Sequence, residues 1–403
     1  MTSLAQSRSV RTIANAAAAP RDAPPAGPLT AEGFDSAYGE ISAWPRYAPT
    51  RLVPLPALAR RLGLGALFYK DEGDRFGLGS FKPLGGAYAV ARALARELAR
   101  KGIEGVTIAD LMAGRHKDKV AGITLVSATD GNHGRSVAWG ARLCGAKARI
   151  FSHDQMSEAR RIAIRDLGAE LVICPGGYDD SVREAFRVAG ANGWPVVQDT
   201  AIGDYRQVPI DICHGYGVIA EEVIRAGLPP FTHVIVQAGV GGVAAAILTR
   251  FWQAFGAERP RFIVLEPETA ACVTASLEAG SQTALTGDTH TAMAGLACGE
   301  VSDIAWEALA TGADGAIVIG DGWAFEGMRR LADPQDGDPP IVAGECGGGA
   351  VGALIALAER PGLAAPLGLD ATSRVLLIGT EGATDPAIYA EVVGRTPDMV
   401  LGR

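Results

Sequence analysis

The sequence lacks the features of several common protein classes. Basic residues are in the minority, with 37 lysines and arginines against 45 aspartates and glutamates, and the net charge of −8 argues against a nucleic-acid binder. No apolar run approaches the length that a transmembrane helix needs. The N-terminal stretch also has no apolar core of a signal peptide, so we do not expect secretion by a standard signal.

Metal-site patterns of cysteine and histidine are missing as well. The six cysteines have no C-x-x-C spacing and the six histidines form no ligand pattern, so we predict no metal site. Reduced thiols in a cytoplasmic protein are the simpler interpretation. The spacing does not decide whether Cys272 and Cys298 pair.

The composition is that of a globular α/β protein with two domains. The chain has 403 residues, of which 48% are apolar, and it contains 52 glycines. Short apolar runs alternate with helical segments over 123–198 and again over 215–378, which is typical of parallel strands covered on both faces. We therefore predict an α/β fold of two doubly wound domains, with the ligand in the cleft between them.

The predicted domain boundaries divide the chain into three parts. Residues 35–85 and 205–403 form the predicted large domain, and residues 86–204 the small one. Residues 1–34 are predicted to be a disordered tail, because their first acidic residue is Asp22 and alanine, proline, serine and arginine dominate the first 28 residues. A transit peptide is the alternative for this segment.

Lys82 is the residue around which we organise the sequence. It lies in a run of small residues after Phe81, has no acidic neighbour nearby, and precedes a helix predicted from Leu84 to Lys101. A lysine in an apolar pocket can stay unprotonated, the state in which an amine forms a Schiff base. The alternative is a surface lysine at the start of a helix.

Three glycine clusters stand where strands pass into helices. Val236–Gly242 can direct several backbone N–H groups towards a phosphate, although tight turns also need glycine. This segment has neither the G-K-[ST] of a P-loop nor a G-x-G-x-x-G fingerprint, which argues against a nucleotide. Gly344–Ala350 competes for the phosphate, but a carboxylate at Glu345 would repel it.

The third cluster, Ser127–Gly134, follows a predicted strand, where ligands of doubly wound sheets bind. Asn132 offers an amide and Asp130 a carboxylate, and for each the alternative is a helix cap. Asp199 and Thr380 also follow apolar strands. Asp199 is a candidate base or a turn residue, and Thr380 is a candidate partner of a ring nitrogen or the start of a turn.

Taken in order, these segments resemble the fold-type II pyridoxal-phosphate enzymes, which are similar to the tryptophan synthase β-subunit, and within that group the 2,3-diaminopropionate ammonia-lyase family. The resemblance covers roughly residues 35 to 400. Seven collinear blocks carry it: DEGDRFGLGSFKPLGGAYAV, SATDGNHGRSVAWGA, VVQDTAIGDYRQVP, IVQAGVGGVAAA, MAGLACGE, GECGGGAVGAL and LLIGTEGATD.

The resemblance implies a pyridoxal 5'-phosphate cofactor and a set of roles. Lys82 would hold the cofactor as a Schiff base, Asn132 would contact its phenolic oxygen, and Thr380 would face its pyridine nitrogen. The phosphate would be bound by Gly239, Val240, Gly241 and Gly242. Asp130 and Asp199 would be the two bases, one for each substrate enantiomer. Further candidates for contacting substrate or water are Ser80, Thr129, His133 and Glu345.

The activity that the resemblance implies is the α,β-elimination of D- and L-2,3-diaminopropionate to pyruvate and ammonia by a cytoplasmic homodimer. A threonine or serine dehydratase is an alternative, although such enzymes lack both aspartates. A lyase for an N-substituted β-aminoalanine is another, because Pro83 and the 109–120 loop depart from the family pattern and can reshape the entrance. A nucleotide-binding module is the alternative from a different class.

Overall fold

Strands and helices alternate along the chain, so the α/β prediction is confirmed. The computed structural model describes residues 7–22, 24, 27–129, 131–154, 156–335 and 337–402. The chain divides into two compact units: unit 1 contains residues 1–28, 49–75 and 219–403, and unit 2 contains residues 29–48 and 76–218.

The strands of the described residues are, in chain order, β1 (Val10–Ala14), β2 (Leu52–Pro54), β3 (Ala66–Asp71), β4 (Thr124–Ala128), β5 (Lys147–His153), β6 (Glu170–Cys174), β7 (His233–Gln237), β8 (Arg261–Pro267), β9 (Gly315–Ile319) and β10 (Arg374–Gly379).

The α-helices of the same residues are α1 (Ala31–Ser42), α2 (Pro56–Arg61), α3 (Lys82–Arg100), α4 (Ile108–Met112), α5 (Lys117–Val120), α6 (Asn132–Cys144), α7 (Glu158–Arg165), α8 (Tyr178–Asn192), α9 (Gln207–Tyr216), α10 (Val218–Arg225), α11 (Gly242–Phe255), α12 (Cys272–Ala279), α13 (Asp303–Gly312), α14 (Asp321–Ala332), α15 (Glu345–Glu359), α16 (Pro361–Ala364), α17 (Pro386–Val393) and α18 (Pro397–Leu401).

Unit 1 is built on a seven-stranded sheet in the order β1-β9-β8-β7-β10-β3-β2. The five inner strands run parallel, and β1 and β2 pair antiparallel at the two edges. Every residue of β7 and β9 is buried, as expected of parallel strands covered on both faces. Because β7 and β10 are parallel neighbours, with Val375 opposite His233, the segments after Gln237 and Gly379 leave the sheet at the same edge.

Unit 2 has a smaller parallel sheet in the order β4-β5-β6. A parallel bridge between Val126 and Val196 extends this sheet towards the segment that carries Asp199. Helix α3 packs against α6 and α9. The sheet edge and the start of α3 thus belong to the same packed unit.

The prediction of a disordered tail over 1–34 is wrong for the part that the structure describes. Val10–Ala14 pairs with Gly315–Ile319 as an edge strand, and the Thr30 hydroxyl caps α1 by accepting from the Gly33 N–H. A five-residue edge strand takes its backbone partners from a strand far away in sequence, which local composition does not reveal. Residues 1–6, 23, 25 and 26 lie outside the described residues.

The predicted domain boundaries also differ from the two units. The predicted change at 85/86 falls inside α3, and the units instead change at 75/76 and 218/219. A helix that packs along its length on α6 and α9 cannot be divided between two packing units. The segment 109–120, predicted to be a loop, contains α5 and most of α4, which begins at Ile108.

Across the described ranges, no single helix is both long and apolar enough to cross a membrane. One pair, Glu345–Glu359 with Pro361–Leu367, has the length and composition only when taken together, and it is bent by 119°.

Candidate active site

Lys82 is the first residue of α3 and lies beside a carboxylate. Pro83 fits at this helix start because the first turn leaves its backbone N–H groups without helical partners. The Lys82 Nζ donates to Asp199 Oδ2 over 2.6 Å. It also lies 5.5 Å from the ring centroid of Phe81 and 5.8 Å from that of Tyr216. Lys82 is therefore held in an aromatic pocket with Asp199 as an acidic partner.

The Asp199 carboxylate changes the protonation state that is expected for Lys82. The sequence predicts an apolar pocket that keeps the amine unprotonated, but a carboxylate at hydrogen-bond distance favours the ammonium. The two aromatic rings favour the cation as well. The surface alternative is also wrong, because only 20% of the Lys82 side chain is exposed. Asp199 lies 117 positions away in sequence, beyond the reach of local patterns.

Asp199 is buried rather than placed in a surface turn. Burial raises the pKa of its carboxyl, but the charge and hydrogen bond of Lys82 lead the opposing effects, and the pKa lies well below its usual range. Asp199 is thus ionised at neutral pH. An ionised carboxylate beside the Lys82 amine can attract a cationic substrate and accept a proton.

His133, the second residue of α6, faces the same carboxylate. Its Nε2 lies 2.9 Å from the carbonyl of Val197, so Nε2 carries the proton and donates it there. This leaves Nδ1 as an acceptor 3.8 Å from Asp199 Oδ2, and Nδ1 has no hydrogen-bond partner in the described part of the chain. Burial lowers the pKa of His133, more than the nearby Asp199 raises it, so the imidazole is neutral.

The structure assigns a structural role to Thr129, one of the predicted site residues near the start of α6. The Thr129 hydroxyl accepts from the N–H groups of Gly131 and Gly134 at 2.8 and 2.9 Å, so Thr129 secures the start of the helix. Asn132 is the first helical residue and is half-buried, with Gly131 at the cap position. Ser80 is buried two residues before Lys82. Asp130 lies outside the described residues.

The predicted phosphate loop in unit 1 joins β7 to the start of α11. Gly241 has φ +91°, and no side chain caps the helix. A Cβ on Gly239 would lie 3.0 Å from Cys298 Sγ and 3.1 Å from the Gly295 carbonyl, so a larger residue would crowd the turn. The start of this 14-residue helix is thus not capped by a side chain of the described residues, as a phosphate site needs.

The competing glycine cluster, Gly344–Ala350, already has a carboxylate at the start of its helix. Glu345 begins α15 and is buried, and Cys346 N–H donates to Glu381 Oε1 over 3.2 Å. A carboxylate therefore occupies the start of this helix, which removes Gly344–Ala350 as the phosphate loop. Thr380, next to Glu381, is 4% exposed, and its hydroxyl has no hydrogen-bond partner within the described ranges. Such a hydroxyl can pair with a ring nitrogen.

A buried charge cluster of unit 1, formed by Lys70, Glu72, Arg75 and Glu222, explains much of the segment before Lys82. Each side chain is at most 1% exposed. Arg75 donates to Glu72 over 2.8 Å and to Glu222 over 2.7 Å, and Lys70 donates to Glu222 over 2.5 Å. Although burial raises the pKa of Glu72, Arg75 and Lys70 lower it to about 2. The cluster is neutral overall and fixes the chain after β3.

The predicted site residues therefore divide between the two units. In unit 2, the structure brings together Lys82, Asp199 and His133. In unit 1, Gly239–Gly242 and Thr380 follow neighbouring strands. The sequence reasoning missed Tyr216, whose only local signal is the pair of glycines that flank it, Gly215 and Gly217.

Comparison with known proteins gives a family and its members. Residues 43–380 match the family model described as "Pyridoxal-phosphate dependent enzyme". The chain is 42% identical over 359 residues to the diaminopropionate ammonia-lyase of Salmonella typhimurium, covering 87% of this chain and 89% of that protein. It is 39% identical over 356 residues to the Escherichia coli K12 enzyme of the same name, covering 86% and 87%.

Solved structures agree with this result. The chain matches diaminopropionate ammonia lyase from Escherichia coli, in complex with an aminoacrylate-PLP azomethine reaction intermediate, with a TM-score of 0.87 and 35% identity over 96% of this chain and 97% of that one. Threonine deaminase isoform 2 from Solanum lycopersicum matches with a TM-score of 0.71 at 21% identity, over 95% and 98% of the two chains, which shows a shared fold.

Proposed function

The chain belongs to the pyridoxal-phosphate dependent enzyme family, and from this premise we propose that it eliminates both amino groups of 2,3-diaminopropionate to give pyruvate and ammonia. The observation that carries the proposal is the 2.6 Å contact between Lys82 Nζ and the ionised Asp199 carboxylate. It combines an amine for the cofactor, a base for the substrate and a negative charge for the second substrate amine.

The residues present fit pyridoxal 5'-phosphate. The glycine turn before α11 leaves no room for a larger residue at Gly239 or Gly241, no side chain of the described residues caps α11, and the buried Thr380 hydroxyl lacks a partner among the same residues. We propose that Gly239, Val240, Gly241 and Gly242 bind the phosphate and that Lys82 binds the aldehyde carbon. Thr380 would pair with the ring nitrogen and Asn132 with the phenolic oxygen. When bound, the cofactor supplies an electron sink for the substrate Cα.

The chain's own groups would move the protons. Asp199 is ionised and can take the Cα proton from one enantiomer. Asp130, two positions before Asn132 in the sequence, is proposed to serve the other. His133 is neutral, so it adds no second cation beside the Asp199 carboxylate. Ser80 and Glu345 remain proposed contacts for substrate or water, while Thr129 acts by securing the helix that carries His133.

The hydroxyl of Thr380 favours elimination over transamination in this proposal. A neutral hydroxyl does not protonate a ring nitrogen as a carboxylic acid can, so Thr380 would leave the bound cofactor a milder electron sink. A milder sink favours loss of the β-amine before protonation at another carbon.

We further propose a cytoplasmic homodimer. All six cysteines are free thiols, which supports a reducing compartment. The homodimer follows from the family resemblance. Light scattering coupled to size-exclusion chromatography tests it, and a monomer at working concentration would contradict it.

A substrate screen on the holoenzyme tests the function. We expect pyruvate from D- and L-2,3-diaminopropionate at rates at least about tenfold above those for serine, threonine or an N-substituted β-aminoalanine. Faster release of 2-oxobutanoate from threonine would favour the dehydratase, and preference for the N-substituted compound would favour that lyase. The matched control is Lys82→Ala, which we expect to lose both activity and the borohydride-sensitive visible absorbance. No such absorbance in the native enzyme would refute the proposal.

A further inference from the structure

Tyr216 occupies a place in the Lys82 pocket to which neither the sequence nor the comparisons assign a role. It is the last residue of α9, is buried, and packs edge-on against Phe81 with ring centroids 4.7 Å apart at 66°. Its ring centroid lies 5.8 Å from Lys82 Nζ. The phenol therefore faces the reactive amine from a helix other than the one that carries the amine.

Two glycines make this placement sterically possible. A Cβ on Gly85 would lie 2.4 Å from Tyr216 Cε1, and a Cβ on Gly215 would lie 2.1 Å from the Leu84 carbonyl oxygen. Real Cβ atoms do not come so close to other atoms. Any larger residue at either position would push α3 and α9 apart and withdraw the ring from Lys82. Helices α3 and α9 can therefore come this close because Gly85 and Gly215 lie at the contact beside the Tyr216 ring.

The hydroxyl of Tyr216 is buried, makes no well-formed hydrogen bond within the described residues, and lies near enough to the Lys82 amine for a weak one. A buried hydroxyl without a well-formed hydrogen bond is unfavourable, and a partner that is present in another state of the protein is one explanation for it. The charged or titratable groups that face it are Lys82, Asp199 and Cys213, and His133 faces Asp199 in turn. Of these, the Lys82 amine can both donate to a phenol oxygen and accept from a phenol O–H.

We propose that Tyr216 is a positioning residue whose hydroxyl becomes the main hydrogen-bond partner of the Lys82 amine when Asp199 no longer carries its negative charge. The inference rests on the proposed function, in which Asp199 takes up the Cα proton and becomes neutral. The amine then loses its acidic partner. The phenol oxygen accepts from the ammonium, or the phenol O–H donates to the neutral amine, and Nζ stays beside the two rings.

A double-mutant cycle on the cofactor-free full-length chain tests this without relying on turnover. Lys82 labelling by trinitrobenzenesulfonate is measured against pH by peptide mass spectrometry in wild type, Tyr216→Phe, Asp199→Asn and the double variant. Because only the neutral amine reacts, the midpoint of the profile reports its protonation. In wild type, Tyr216→Phe should hardly move the midpoint pH and should change the labelling rate less than about twofold. In the Asp199→Asn background, Tyr216→Phe should lower the midpoint pH and raise the labelling rate of Lys82 about tenfold.

The control is Tyr389→Phe, which removes another buried and unpaired hydroxyl, in unit 1, and should leave the profile unchanged. Phenylalanine keeps the ring at position 216, so unfolding midpoints should match wild type. Equal shifts in both backgrounds, or no shift in either, would overturn the inference. If the substrate screen fails but Tyr216→Phe still has its larger effect in the Asp199→Asn background, the proposed function is rejected and the interaction between Tyr216 and Lys82 is retained.

Discussion

The proposed phosphate loop, Gly239–Gly242, gives the sharpest prediction, through the substitution Gly241→Ala. At φ +91°, an alanine in this left-handed conformation costs about 1–2 kcal/mol. Its Cβ would lie 2.9 Å from the Ala305 Cβ and 3.1 Å from Leu309 Cδ1, and such overpacking costs about 1–3 kcal/mol more. The turn is expected to relieve this strain by moving, which misdirects the N–H groups at the start of α11. Loss of one charge-assisted bond to phosphate weakens cofactor affinity about ten- to a hundredfold.

Gly280→Ala is the matched control for this prediction. Gly280 also has a left-handed conformation, with φ +70° at the end of α12, but a Cβ there meets nothing within 4 Å. It should cost about 1–2 kcal/mol of unfolding free energy and leave the affinity unchanged. Spectrophotometric titration with pyridoxal 5'-phosphate gives the affinity, and urea unfolding gives the stability. Equal affinity losses in the two variants, or full affinity in Gly241→Ala, would refute the assignment of the loop.

Three further predictions address the site and its support. Asp199→Asn should lower kcat for one enantiomer of diaminopropionate about 10²–10⁴-fold and change the other less than about tenfold, so equal losses in steady-state assays would contradict the two-base scheme. Glu222→Gln, in the buried charge cluster, should cost about 3–5 kcal/mol in urea unfolding, while the exposed Glu184→Gln should cost less than about 0.5 kcal/mol; similar values would show that the cluster does not stabilise unit 1. Glu266 is buried, which raises its pKa from 4.5 to about 7, so the stability that it contributes is present below pH 4.5 and is lost as pH rises through 7. Wild type should thus lose up to about 3 kcal/mol between pH 4.5 and 8 relative to Glu266→Gln, and parallel stability profiles would argue against a raised pKa.

The elements that could be predicted are those with a local signal. Apolar runs identify the buried strands of both sheets, because a parallel strand is covered on both faces and must be apolar throughout. The glycine turn after β7 could be found because only glycine adopts the conformation at Gly241 without strain. Edge strand β1 and the change of unit at 75/76 were missed, because their partners are distant and their own residues give no periodic pattern.

The candidate site divides in the same way. By itself, the sequence identified Lys82 as a candidate, the glycine turn, the threonine after β10 and the order in which they follow the strands, because each lies in a short motif with a local signal. Only the tertiary structure decided that Lys82 is an ion pair with Asp199, that Glu381 occupies the competing helix start, and that Tyr216 faces the amine. These contacts join residues from separate elements, and their distances are set by how helices and strands pack, which no local spacing encodes.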